Sequence, residues 1–446
     1  MLSKLFLVLE VASLVTAYPH IAELAAKQHV RRQSIPTVPF PEWPGNPTHA
    51  LYNQFNATEQ LIDVTGEHAW AAPTQGQIRG PCAGLNAAAN HGYLPRSGIA
   101  TAESISEGLW NAFSLALDAT VFLETATRFF DGNPITGEWS IGYASSAVDL
   151  PTGTALGQIT GICDYGHLKT EADASITRGD FFAPTQNSNC RSYTNFVQDL
   201  FDVANKMNPS TGFLTPQVYA QHSANRKVYS IENNPNYFAP AYAGVAFTFG
   251  AHMFAWALLS NHSAEYPRGY QTQDNFLSLW GYTRGSKGQL IYNYGHERIP
   301  NNYYKRAPAD AWTLEDIVIS TAQQCASYPS NCQIGGNTGK VNSFSGIDPG
   351  DITGGLINSA KDLSDPARMA CFISQAIQAD APGFLDAVFE GPELNEALGL
   401  INTQLLPALA PLGSCPNLPK GKSVFAYGHG YPGAQVQFGG PRATEH

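Results

Sequence analysis

Charged residues are scarce in this chain of 446 residues, at 14% of the sequence, whereas about 25% is usual for globular proteins. The net charge is −11, and the sequence contains no long run of basic residues. Proteins that bind nucleic acid present clustered lysine and arginine. The composition therefore argues against a nucleic-acid partner, and a weakly charged, acidic surface favours an extracellular enzyme.

The sequence also lacks internal repeats and has little of the apolar alternation that indicates β-strands. Four stretches instead carry apolar residues at every third or fourth position, and they begin near Thr101, Tyr193, Thr313 and Asp365. This spacing predicts helices with one buried face. The first stretch is predicted to be one long helix whose apolar face runs from Ile105 to Val121. The 41 glycines and 30 prolines indicate many turns and loops. We therefore expect a mainly α fold, a single large helical domain with long loops.

One apolar run, Ala239 to Leu259, is long enough to cross a membrane. Pro240, Gly244 and Gly250 weaken it as a spanning helix, His252 lies inside it, and no basic cluster flanks it. A helix that is apolar on all sides is equally suited to the core of a large protein. We therefore predict a buried segment and no membrane span.

The N-terminus predicts secretion. Residues 1–17 combine Lys4, an apolar stretch and a small residue at the end, which is the pattern of a signal peptide. Residues 18–33 are predicted to be a pro-segment that ends near a pair of arginines. Asn56 and Asn261 stand in glycosylation sequences, which matter only if the chain is secreted.

Cysteine is infrequent and its number is odd. The seven cysteines are Cys82, Cys163, Cys190, Cys325, Cys332, Cys371 and Cys415. In an oxidising compartment six of them can form disulfides, which leaves one for another role. Cys325 and Cys332 enclose a short loop and are predicted to pair with each other.

The stretch "RGPCAGLNAAANHGYLPRSG" places Cys82 between Pro81 and a run of helix-forming residues. A cysteine at a helix N-terminus is stabilised as a thiolate by the helix dipole and the free N–H groups. Such a thiolate suits a metal ligand, and a haem could lie over the small alanine side chains. Spacing alone also allows a structural half-cystine or an inert buried thiol.

This stretch closely resembles the opening motif of the fungal haem-thiolate peroxidases, the chloroperoxidase and unspecific peroxygenase family. The family pattern is Pro-Cys-Pro-Gly-Leu-Asn followed by Ala-Asn-His-Gly-Tyr-Leu-Pro-Arg, and here Ala83 replaces the second proline. The resemblance implies a chloroperoxidase-like fold in which Cys82 is the axial ligand of haem b. A thiolate ligand favours cleavage of the peroxide O–O bond.

A second stretch, "GHLKTEADASITRGDFF", resembles the family's cation-binding motif. The resemblance implies that Glu171, the carbonyl of Ala172 and Ser175 bind Mg²⁺ or Mn²⁺ beside a haem propionate. Carboxylate, carbonyl and hydroxyl oxygens suit such a hard cation. A third stretch, "HERIPNNYYKR" from His296, is similar to the family's Glu-Arg-Leu-Pro segment, and its residues indicate no role beyond structure.

The resemblance fails at the residue that should move protons during peroxide cleavage. The family's glutamate falls on Gly244 in "NPNYFAPAYAGVAF". One explanation is a shifted alignment, in which a carboxylate such as Glu232 moves the proton. A second is that another side chain, such as Asp173 or His222, takes over this role. A third is that the site has lost ordinary peroxidase chemistry and catalyses something narrower. His252 lies eight residues further on, about 12 Å along a helix, and cannot occupy the same place.

The resemblance extends from about Trp43 to Glu390. It implies a peroxidase domain over residues 34–410, followed by a glycine- and proline-rich tail over 411–446. The expected function is a secreted haem-thiolate peroxidase or peroxygenase that uses hydrogen peroxide to oxidise a small hydrophobic or aromatic substrate, with a step in specialised metabolism as an extension. Halide oxidation, haem binding with little turnover, and a disulfide-rich structural protein remain alternatives.

Overall fold

The computed structural model describes residues 54–134, 136–145, 148, 161–385, 399, 401–412, 415 and 430–434. The predicted signal peptide, the pro-segment and most of the predicted tail lie outside these residues.

Helices supply most of the regular structure, as predicted. The α-helices are α1 (Ala57–Gln60), α2 (Ala83–Asn90), α3 (Ala102–Phe113), α4 (Leu117–Asp131), α5 (Thr194–Met207), α6 (Pro216–Asn233), α7 (Thr248–Ala257), α8 (Gln273–Leu279), α9 (Leu314–Ser327), α10 (Pro349–Thr353), α11 (Pro366–Leu385) and α12 (Leu406–Leu409). Two π-helices span Ala241–Phe247 and Ile401–Leu405. The prediction of a mainly α fold is confirmed.

The strands are short and pair antiparallel. They are β1 (Ile99–Ala100), β2 (Trp139–Ser140), β3 (Phe238–Ala239), β4 (Tyr282–Arg284), β5 (Leu290–Tyr292), β6 (Gly335–Gly336) and β7 (Ser345–Gly346). β1 pairs with β2 and β4 with β5, while β3, β6 and β7 form a three-stranded sheet in that order. In register, Ile99 lies opposite Ser140 and Phe238 opposite Gly336. These pairs fasten loops between helices.

The first predicted helix is wrong in its length, because the chain breaks at Ser114 into α3 and α4. Thr101 caps α3 as expected, but Ser114 adopts a left-handed backbone with φ of 53°. Its hydroxyl donates to the carbonyl of Arg306 at 2.8 Å, and the N–H of Ala116 donates to the carbonyl of Trp312 at 2.8 Å. The distant chain therefore fixes this turn and redirects α4.

The other three predicted helices are confirmed. α5 begins at Thr194, one residue after the predicted start. Thr313 caps α9, where its hydroxyl and the side chain of Asp316 bond reciprocally to the backbone. α11 begins directly after Asp365.

The long apolar run is buried, as predicted. It forms the first π-helix and then α7, and the hydroxyl of Thr248 donates to the carbonyl of Ala243 at 2.7 Å where the two meet. In the part of the chain that the structure describes, no helix is long and apolar enough to cross a membrane.

The apolar interior forms two large clusters. One gathers the buried faces of α4, the first π-helix, α9 and α11. The other gathers those of α2, α5, α6 and α8. Residues from both clusters line one cavity, since Leu115 belongs to the first cluster and Phe113 to the second.

The cysteine prediction is confirmed. Disulfides join Cys163 to Cys190, Cys325 to Cys332, and Cys371 to Cys415. Cys82 is the free cysteine of the described chain.

The two predicted glycosylation sites differ in accessibility. Asn56 is exposed at the start of α1. Asn261 is buried, and its side chain donates to the hydroxyl of Tyr270 at 3.1 Å and accepts from the N–H of Tyr304 at 3.0 Å. A glycan at Asn261 is therefore incompatible with this fold.

Candidate functional site

A largely apolar cavity opens between α2, α3, α4 and α7. Its described lining includes four ionisable side chains, those of Cys82, Glu124, Glu171 and Arg178. The rest of the lining is mainly leucine, isoleucine, alanine and aromatic residues. The predicted thiolate and the predicted cation ligand thus face one largely apolar cavity.

Cys82 is the N-cap residue of α2, and its side chain is exposed to this cavity, which it lines. The protein around the cavity desolvates the thiol and so raises its pKa, whereas the backbone amides of Leu85 and Gly84 lower it. These amides belong to the first turn of α2, where free N–H groups favour an anion. The position therefore suits a sulfur that is held as a thiolate by a bound metal.

The loop before Cys82 is fixed by side chains from the same motif. Asn86 bonds twice to Gly80, donating to its carbonyl and accepting from its N–H, both at 2.8 Å. A Cβ atom at Gly80 would lie 1.7 Å from the carbonyl oxygen of Ile141, so this close approach requires glycine. The Nε of Arg178 donates to the carbonyl of Pro81 at 2.8 Å.

The third motif supports α2 from behind, a role that sequence reasoning missed. The amide of Asn90 donates to the carbonyls of Gly295 and Glu297, both at 2.8 Å. His91 accepts from the N–H of Ile299 at 3.1 Å. The "HERIP" segment therefore anchors the C-terminal end of the helix that carries Cys82.

Arg178 connects these motifs to the cavity. Besides Pro81, it donates to the hydroxyl of Tyr292 at 2.8 Å and lies 3.6 Å from a carboxylate oxygen of the buried Glu297. Burial raises the pKa of Glu297, and the guanidinium of Arg178 acts in the opposite direction. A buried cation thus lines the cavity next to the cysteine loop.

Glu171 and Ser175 both line the cavity, while Ala172 is buried between them in sequence. Ala174 has a φ of 61°, and this turn brings the two side chains to the same wall. One carboxylate oxygen of Glu171, Oε1, is buried without a hydrogen-bond partner. Burial raises the pKa of Glu171 to about 8, and Ser175 and Arg178 lower it. An orphaned carboxylate oxygen of this kind fits a cation ligand.

Among the described residues, no cluster of three or more histidine, cysteine, aspartate or glutamate side chains could hold a metal ion. The set implied by the resemblance contains one carboxylate, one carbonyl and one hydroxyl, so it is not a cluster of that type. The cation at Glu171, Ala172 and Ser175 therefore stays a prediction.

Gly244 does not reach the cavity. It lies in the first π-helix, and a Cβ atom there would come within 2.5 Å of the Cα of Ala239 and 2.8 Å of the ring of Pro240. The close packing of the π-helix against β3 leaves no room for a side chain. The glycine is thus required by the local backbone, and no carboxylate can replace it without a shift of the chain.

None of the substitutes named from the sequence lines the cavity. Glu232 is exposed on α6, and Asp173 is buried, where it accepts from the N–H of Phe181 and contacts His167, both at 3.1 Å. His222 is bound to Asp199 at 2.7 Å. His252, buried on α7, is likewise bonded at Nδ1 to a backbone carbonyl.

A carboxylate that sequence reasoning missed does line the cavity. Glu124 lies in the middle of α4, and only 3% of its surface is exposed. Burial raises its pKa to about 7, and Arg128 acts to lower it. The signal in the sequence was an acidic residue directly after the apolar "TVFL", with an arginine four residues later.

Two aromatic residues of the apolar run, Phe247 and Phe254, line the cavity, whereas Phe249 is buried in the core. Trp256 packs against the cores and is not among the lining residues.

Comparison with known proteins finds relatives that match most of the chain. The family model for peroxidases of family 2 matches residues 68–308. The dothistromin biosynthesis peroxidase of Dothistroma septosporum is 33% identical over 386 residues, which cover 85% of this chain and 87% of that protein. An aromatic peroxidase of Fusarium equiseti is 30% identical over 396 residues, which cover 86% of this chain and 87% of that protein. An aromatic peroxygenase of Cyclocybe aegerita is 30% identical over 375 residues, which cover 82% of this chain and 86% of that protein.

Proposed function

Because the chain belongs to family 2 of the peroxidases and is an oxidoreductase that acts on peroxide, we propose that it oxidises a small aromatic substrate at a thiolate-ligated haem. The observation that carries the proposal is one free cysteine at the wall of a large apolar cavity. The other cysteines of the described chain are paired in disulfides.

Cys82 would bind the haem iron, and the haem with this ligand supplies cleavage of the peroxide O–O bond. The residues present fit the group, since the unpaired thiol and the buried cation of Arg178 line the same space. Arg178 would offset the negative charge of a propionate, which is costly to bury alone. The cation at Glu171 and Ser175 would act in the same way.

The apolar walls would select and hold the substrate. Phe247, Phe254 and Leu258 line the cavity. Aromatic rings pack favourably against other rings, beyond the gain from burial alone. The walls also exclude water, which strengthens the electrostatic effect of each polar group in the site.

The experiment that tests this proposal supplies the purified protein with hydrogen peroxide labelled with oxygen-18 and an aromatic substrate, with and without bromide. We expect labelled oxygen in the product and no requirement for bromide. A brominated product would favour the haloperoxidase alternative. Binding of haem without turnover would favour the haem-binding alternative.

The dothistromin biosynthesis peroxidase is named for the synthesis of a specialised metabolite. By this likeness we propose that the present enzyme performs one oxidation in the synthesis of an aromatic specialised metabolite. Deleting its gene should then remove one such compound from the culture and let its less oxidised precursor accumulate. An unchanged metabolite profile would contradict the proposal.

Secretion is a further part of the proposal, supported by the N-terminal pattern, the three disulfides and the exposed Asn56. N-terminal sequencing of protein from the culture medium should show that residues 1–17 are removed. Recovery of the intact N-terminus from cells alone would contradict it.

The cation site gives the first prediction. Glu171→Gln should remove most of the bound Mg²⁺ or Mn²⁺ and lower haem retention, because a neutral amide binds a hard cation more weakly than a carboxylate. Metal and haem per chain are measured on protein purified without chelator. Glu103→Gln, an exposed substitution on α3, should change neither. Equal metal content in Glu171→Gln and the unaltered protein would rule out the site.

A further inference from the structure

The geometry points to Glu124 as the catalytic acid–base of this cavity, in place of the family's glutamate at the position of Gly244. The inference rests on the proposed function and names a residue that the motifs do not contain. It follows from where α4 places this carboxylate, and from what its neighbours do to each of its two oxygens.

The carboxylate of Glu124 lies on α4 and lines the same cavity as Cys82, which belongs to the start of α2. Two further residues of α4, Leu123 and Thr127, line the cavity as well. The break at Ser114 is what directs α4 along this wall. A peroxide molecule in the cavity therefore has a carboxylate in the same cavity as the predicted iron ligand.

The two oxygens of the Glu124 carboxylate differ in their hydrogen bonding. Oε2 accepts a hydrogen bond from Thr125 at 3.4 Å. Oε1 is buried without a hydrogen-bond partner, and the Nε of Arg128 lies 3.7 Å away, too far for a hydrogen bond. A buried polar atom without a partner costs about 1–3 kcal/mol. A site that keeps such an oxygen next to a cavity is suited to a ligand that brings its own proton.

The arginine is held in place by another contact. Arg128 donates to the side-chain oxygen of Gln404 at 3.0 Å, and the hydroxyl of Thr125, whose single proton is shared with Oε2 of Glu124, lies 3.1 Å from the same oxygen. The second π-helix, which carries Gln404, therefore orients both residues that flank Glu124. Arg128 is a positioning residue in this account, because it acts on peroxide only through the carboxylate.

The proton transfers balance with peroxide as the co-reactant. The Glu124 carboxylate takes the proton from one oxygen of hydrogen peroxide, and the electron pair of the broken O–H bond stays on that oxygen. The protonated Glu124 then gives the proton to the other oxygen, which leaves as water when the O–O bond breaks. The haem, when bound, would supply the two electrons that reduce this bond, and the Glu124 carboxylate is regenerated. Its pKa of about 7 suits a group that both takes and returns a proton near neutral pH.

The test uses Glu124→Gln in the haem-loaded enzyme and follows ligand binding by stopped-flow absorbance. Hydrogen cyanide must lose a proton when it binds ferric haem, as hydrogen peroxide must when it reacts. Carbon monoxide binds reduced haem without any proton transfer. We expect the cyanide and peroxide rate constants to fall about 10²- to 10³-fold, within the usual range for a general acid–base, and the carbon monoxide rate constant to stay unchanged.

Glu107→Gln, an exposed substitution of the same type on α3, should leave all three rate constants unchanged. If Glu124→Gln does not retain haem, Glu124→Asp answers the question, since it keeps the charge and withdraws the carboxylate by one methylene. Cyanide and peroxide binding should then slow without a change for carbon monoxide. Rate constants within about twofold of the unaltered enzyme for all three ligands would overturn the role of Glu124. Absence of haem from the unaltered protein would instead contradict the proposed function.

Discussion

Cys82→Ser should lower the rate at which each haem oxidises an aromatic substrate by at least about 100-fold, equivalent to about 2.7 kcal/mol in the activation barrier. A serine hydroxyl is a poor ligand for haem iron and lacks the electron donation of a thiolate, which favours O–O cleavage. The variant should keep its fold, because Cys82 forms no disulfide and its side chain faces the cavity. Activity per haem and the far-UV circular dichroism spectrum measure the two effects.

Ala83→Pro is the matched control for this variant. It restores the residue usual in the family, at the first position of α2, where proline is well tolerated. Cys82 already has extended backbone angles of −80° and 109°, which a following proline requires. Ala83→Pro should therefore keep haem, thiolate ligation and activity. If Cys82→Ser retained full activity per haem, the sulfur could not be the ligand.

Gly244→Ala should lower the free energy of unfolding by about 1–3 kcal/mol, the usual cost of overpacking. The added methyl would lie 2.5 Å from the Cα of Ala239, so the π-helix must move away from β3. Gly244→Glu should lower the free energy of unfolding further. It should give no gain in peroxidase activity, because that position does not line the cavity. Denaturant unfolding measures the first effect, and peroxide turnover the second.

Gly250→Ala is the control, since it lies in the same apolar run and is also buried. Its Cβ atom would meet nothing closer than the methyl of Ile317 at 3.7 Å, an ordinary contact. Alanine also favours a helix over glycine by about 1 kcal/mol. We expect unchanged or raised stability. Equal effects at Gly244 and Gly250 would show that the close contact with Ala239 does not exist.

Helix ends that depend on local contacts could be predicted from the sequence. Thr101 and Thr313 cap their helices through residues three positions later, so the signal lies within one turn. The same holds for Cys82 at the start of α2, where proline, cysteine and the following alanines define the position. The odd cysteine also followed from counting, because the other six form disulfides.

Features set by distant parts of the chain could not be predicted in this way. The break at Ser114 depends on the carbonyl of Arg306, almost two hundred residues away. Gly244 appeared to be a missing catalyst, whereas its lack of a side chain is dictated by the backbone of Ala239. Glu124 shares a cavity with Cys82 only because the turn at Ser114 redirects α4.

The bond between Cys82 and the haem iron is tested most directly by the absorbance spectrum of the reduced, carbon monoxide-bound protein. A thiolate ligand gives a strongly red-shifted Soret band. We predict this band in the purified protein and in Ala83→Pro, and its loss in Cys82→Ser. A carbon monoxide complex without the red-shifted band, or one in which the band persists in Cys82→Ser, would contradict the assignment.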